Sequence, residues 1–60
     1  MKAQDFLAWT EVTGLTSARQ AALALDASRN KMQSWFADAK AGRDVPVNRV
    51  TRLAMTALAN

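Results

Sequence analysis

The sequence has neither cysteine nor histidine, and these two absences exclude much of protein chemistry. Without cysteine there is no disulfide to staple a short chain and no thiolate for a metal or redox site. Without histidine, the commonest metal ligand and general base is missing. Five carboxylates remain, at Asp5, Glu11, Asp26, Asp38 and Asp44, scattered so that no two form an acid–base pair. The expectation is a protein that is not an enzyme and uses no metal, cofactor or small-molecule ligand. No apolar run approaches the ~20 residues that span a bilayer, and no stretch reads as a signal peptide. That predicts a soluble, cytoplasmic protein without a membrane partner.

Sixty residues allow one domain, taken as 1–60, and no repeat, low-complexity tract or linker divides it. A domain this short buries only about 60% of the surface its unfolded chain exposes. With disulfides and metals excluded, oligomerisation is the remaining way to bury more. The net charge is +3, and its distribution is uneven. In residues 1–30, Lys2, Arg19 and Arg29 are cancelled by Asp5, Glu11 and Asp26. In residues 31–60, Lys31, Lys40, Arg43, Arg49 and Arg52 exceed Asp38 and Asp44. A positive surface of this kind suits a polyanion, because Lys and Arg release condensed counterions on meeting phosphates. An ordinary solvated surface accounts for the charge equally well.

Apolar periodicity predicts helices throughout. Phe6, Trp9, Thr10 and Thr13 share one face of a helix over 3–13, with Leu7 and Val12 broadening it. Asp5 favours the positive end of that helix, and Gly14 ends it. Trp9 reads as core or subunit packing rather than as a ligand site. Thr16 or Ser17 then caps a second helix carrying Ala18, Ala21, Ala22 and Leu25 on one face. Its small residues let another helix approach closely. Arg19 and Gln20 point away from that face, towards solvent or a phosphate.

The stretch from Ser17 to Ala39 organises the chain as helix, tight turn and helix, with Asp26, Ala27 and Ser28 supplying the break. Ser28 caps a third helix of about twelve residues, a little over three turns. Met32, Trp35, Phe36 and Ala39 form its buried side, while Asn30, Ser34, Ala37 and Ala41 fall near the opposite pole and Gln33 lies at one shoulder. That outward face is polar yet nearly free of charge, where an ordinary solvent-facing helix carries Glu and Lys pairs. Small and amide side chains let a helix sit deep in a groove and hydrogen-bond to base edges.

Gly42 ends the third helix, and Asp44 and Pro46 are turn residues. Lys40 and Arg43 flank the corner, in position to grip phosphates. A fourth helix is predicted from Val47 to Leu58, with Pro46 near its start. Its apolar positions, Val47, Val50, Leu53, Ala54, Met55, Ala57 and Leu58, cover about 200° of the wheel, whereas packing on one side needs only ~100°. The surplus, around Leu53, Ala57 or Met55, suits a second copy of the chain.

The pattern from Phe6 to Leu58 resembles the helix-turn-helix family of the Cro and lambda-repressor type. The carriers are Gly14-Leu15-Thr16, Ala21-Ala22, Leu25-Asp26-Ala27-Ser28-Arg29, Met32 with Trp35, and Leu53-Ala54-Met55. The resemblance implies an all-α, compact four-helix domain in which the second helix lies across the DNA backbone and the third enters the major groove. It places Ser28, Arg29, Asn30, Gln33 and Ser34 at DNA-facing positions, and Met32 and Trp35 at buried ones. The chain departs from the family in having Asp26 where the turn usually has Gly, and one extra residue between Gly14 and Ser28. The segment from Trp35-Phe36 through Pro46 to Asn60 is also similar to very small phage repressors associated with anti-CRISPR operons, which bind inverted repeats in their own promoters as dimers.

These resemblances and the residue pattern together imply a homodimeric, sequence-specific regulator of transcription that binds double-stranded DNA, in the phage case an autorepressor. Arg29, Asn30, Gln33 and Ser34 are the expected base readers. Ser28, Lys40 and Arg43 are the expected phosphate contacts, with Thr16, Ser17 and Arg19 in second rank. Val50, Leu53, Met55, Ala57 and Leu58 are the expected dimer interface. The competing expectation is a protein-interaction module, such as an antitoxin or inhibitor, built on the same scaffold.

Overall fold

Three short polar side chains set where helices begin. Ser17 Oγ accepts from the Gln20 N–H at 3.2 Å, Ser28 Oγ from the Lys31 N–H at 3.1 Å, and Asn48 Oδ1 from the Thr51 N–H at 2.8 Å. Each satisfies one of the backbone donors that a helix start leaves unpaired. The computed structural model describes residues 1–60 and contains four helices and no strand: α1 (Ala3–Thr13), α2 (Ala18–Leu25), α3 (Arg29–Lys40) and α4 (Arg49–Ala59). The cap of α2 is therefore Ser17, not Thr16.

Left-handed residues end the helices. Gly14, at φ 75°, follows α1, and Gly42, at φ 79°, follows α3. Between α2 and α3 the left-handed position is occupied by Asp26, at φ 52°, the one non-glycine residue with positive φ. Its N–H donates to the Ala22 carbonyl. Ala27 N–H does the same at 2.9 Å, so α2 closes within one residue of its last turn and the corner stays short. Ala21 and Ala22, both buried, let α2 pack closely on α3.

The core is centred on Phe6, which is fully buried. Its ring stacks beside Trp9 at 6.1 Å between centroids and meets Trp35 and Phe36 edge-on at 6.4 and 5.2 Å, the offset and T-shaped arrangements that aromatic quadrupoles favour. Met32, Ala39, Val45 and Met55 complete the interior. Thr10 is the one buried polar residue, and its hydroxyl donates to the Leu7 carbonyl at 2.6 Å. Together these contacts make a compact all-α domain, with a radius of gyration of 10.0 Å. No helix is long and apolar enough to cross a membrane.

Two expectations fail at the edges of this core. Leu7 and Val12 do not broaden the buried face of α1, because both are exposed. The last helix starts at Arg49 rather than Val47. Val45 is buried, its N–H donates to the Met1 carbonyl at 2.7 Å, and the Met1 nitrogen donates back to the Val45 carbonyl at 2.9 Å. Val47 N–H also donates to the Val45 carbonyl, at 2.8 Å. Pro46 restricts the residue before it to extended backbone, which fits that pairing, so Pro46 lies in the connection rather than in the helix. Asn48 is then the first residue free to cap.

Candidate nucleic-acid interface

A helix advances about 100° per residue, which sorts α3 into faces. Met32, Trp35, Phe36 and Ala39 point inward and are buried. Asn30, Ser34, Ala37 and Ala41 lie within about 30° of the opposite pole, and all four are exposed, as is Gln33 at one shoulder. The outward face, with Asn30, Ser34 and, at its shoulder, Gln33 of the expected base readers, is thus open to solvent along the whole helix and uncharged, whereas Arg29, the fourth, lies off it on a flank. Two small residues, Ser34 and Ala37, sit at its centre.

Charges occupy the flanks. On one side Lys31 lies with its Nζ 5.3 Å from the centre of the Trp35 ring, a cation–π contact that holds the side chain against the helix. On the same side, Arg43 binds Asp38 through both Nε (3.2 Å) and Nη2 (3.0 Å) to a single carboxylate oxygen. This is the chain's ion pair, and it engages the guanidinium that was expected to hold a phosphate. Arg43 stays largely exposed, but its charge is offset locally by Asp38.

On the other flank stand Arg29 at the start of α3 and Lys40 at its end, about 17 Å apart along the axis. Each lines an open hollow with a second cation from another part of the chain. Arg29 shares one with Arg19, Ala22, Leu23 and Ala27. Lys40 shares another with Lys2, Ala3, Gln4, Leu7, Ala39, Gly42 and Asp44. Lys2 lies beside Lys40 there although the two are 38 apart in sequence, a proximity that local sequence does not reveal. Of the remaining phosphate candidates, Ser17 and Ser28 cap helices at the exposed ends of α2 and α3, and Thr16 is exposed beside Ser17.

The broad apolar arc of the fourth helix is buried only at one edge, at Met55. Met55 is 1% exposed and its carbonyl accepts the Trp9 indole N–H. It belongs to the interior of a single chain, which removes it from the expected dimer interface. About 150° away round the wheel, Val50 and Leu53 are 78% and 62% exposed. Ala54, Ala57 and Leu58 are also exposed. Their spacing at 50, 53, 54, 57 and 58 is that of a continuous helical stripe, and nothing in the chain covers it.

Family models, curated proteins and solved structures were compared with this chain, and none matched.

Proposed function

We propose that the chain is a sequence-specific DNA-binding regulator of transcription, a repressor of the Cro and lambda-repressor helix-turn-helix type acting as a homodimer. The observation that carries this reading is the outward face of α3. It is exposed from Asn30 to Ala41, uncharged, and lined by amide, hydroxyl and methyl groups, with Arg29 and Lys40 on one flank and Lys31 and the Arg43–Asp38 pair on the other. A helix about 10–12 Å across fits a major groove about 12 Å wide, and short leading side chains let it sit deep there. Ser34 and Ala37 are short in this way, and Asn30 and Gln33 have the paired donor and acceptor that adenine requires. The exposed stripe of α4 supports the dimer, which sets two copies of α3 on half-sites about 34 Å apart.

Selection of bound duplexes from a random pool tests the reading. The expected product is an inverted repeat, protected from nuclease in both halves. Asymmetric or unselective binding overturns it. The likeness to small anti-CRISPR-associated phage repressors makes the promoter of the chain's own gene the first natural sequence to try.

The exposed α4 stripe favours a second reading, an adaptor that binds a foreign protein. Light scattering on the purified chain separates the two. A dimer supports the regulator, and a monomer supports the adaptor.

A further inference from the structure

We propose that Arg19 and Arg29 act as one clamp on a single backbone phosphate of duplex DNA, so that Arg29 holds the duplex and does not read a base. The inference rests on the DNA-binding reading above and deepens it. Arg19, Ala22 and Leu23 lie on one face of α2, and across the short corner Ala27 and Arg29 close the other side of an open hollow of ≈ 330 Å³. Arg19 and Arg29 therefore border one concavity from α2 and α3, and its remaining lining, Ala22, Leu23 and Ala27, is apolar, with Leu23 76% exposed. Neither arginine is paired with a carboxylate, since the chain's ion pair joins Arg43 to Asp38. Asp26, the nearest acidic residue in sequence, does not line the hollow.

Direction and field both point to a phosphate. Arg29 sits about 110° round α3 from the outward pole, where a helix seated in the major groove meets the groove wall rather than the base edges. It is also the first residue of α3, whose first turn contains no acidic side chain. The positive end of the helix dipole there favours an anion. Guanidinium forks match the oxygens of a phosphate geometrically, and an anion between two of them relieves their mutual repulsion. Arg29 directly precedes Asn30, the first residue of the outward face, so a duplex engaged by that face passes its backbone near the start of α3.

The test measures affinity against salt for the unchanged chain, Arg19→Ala, Arg29→Ala and the double variant on the duplex selected by the unchanged chain. It then repeats the selection with Arg29→Ala. One shared phosphate predicts that the double variant lowers the slope of log affinity on log salt by about 0.9. Two separate phosphates predict a fall of about 1.8, which overturns the clamp. The sequence selected by Arg29→Ala should be unchanged. A preference relaxed at one base position, or a salt slope that does not move, also overturns it. If the unchanged chain shows no salt-dependent duplex binding, the DNA reading itself fails and the clamp fails with it. Both arginines are exposed, so circular dichroism should show the same helix content in every variant.

Discussion

The indole N–H of Trp9 donates to the backbone carbonyl of Met55 at 2.7 Å, joining α1 to α4 across the interior. The residues are 46 apart in sequence, and both belong to the buried core. Trp9→Phe keeps most of the apolar volume but removes this donor from a carbonyl that lies within α4, which should cost about 0.5–1.5 kcal/mol. In a chain of this size each kcal/mol shifts the melting temperature by about 4–8 °C, so thermal denaturation reads the effect directly. An unchanged melting temperature would show that the bond contributes nothing net.

Asp26 occupies the left-handed corner at φ 52°, a conformation costing roughly 1–2 kcal/mol for a residue with a Cβ. Asp and Asn bear that cost better than other side chains, and Gly avoids it. Asp26→Gly should therefore raise stability by up to about 1 kcal/mol despite the added freedom of the unfolded chain, and Asp26→Val should lower it. Urea titration of the three proteins checks the order. If Gly is the least stable, the strain argument at this corner is wrong.

The elements were legible from sequence where a local signal and a periodic one agreed. Ser28 with the spacing of Met32, Trp35, Phe36 and Ala39 marks α3 in both start and face, because a cap and an amphipathic stripe depend only on neighbours within a few turns. Val45 and Lys2 were not legible. Val45 lies between Asp44 and Pro46 in a turn-like stretch with no helical spacing to mark it as core, and it is buried where it pairs with Met1 across 44 residues. The same pairing delays α4 past Pro46 to Asn48. On α4 the wheel correctly showed excess apolar surface, but composition alone does not reveal that Met55 and the Val50–Leu53 stripe face opposite ways.

That division of α4 makes the dimer testable without disturbing the fold. Leu53→Asp places a charge on the exposed stripe, so the monomer should keep its helix content and stability to within about 0.5 kcal/mol, as exposed substitutions usually do. Self-association should be lost, which sedimentation equilibrium measures. Met55→Ala, by contrast, opens a cavity in the core and should cost about 2–5 kcal/mol. If Leu53→Asp leaves association intact, the stripe is not where the copies meet.

Base readers and phosphate contacts should separate by how their loss depends on sequence and salt. Asn30 lies at the outward pole of α3 and is exposed, so its amide is placed to pair with a base edge. Asn30→Ala should cost about 1–3 kcal/mol at the selected site and relax the preference at one position, with little change on unrelated duplexes. Lys40 stands on the flank at the far end of the helix, beside Lys2 and Asp44. A lysine there meets the backbone, which every sequence presents alike. Lys40→Ala should weaken all duplexes by a similar factor and lower the salt slope by about 0.9. Because Asp44 lines the same hollow, Asp44→Asn should strengthen binding to all sequences, the reverse of Lys40→Ala. Fluorescence anisotropy on a selected and a scrambled duplex over a range of salt concentrations distinguishes these outcomes. If Asn30→Ala and Lys40→Ala change both duplexes equally, the outward face of α3 does not read bases.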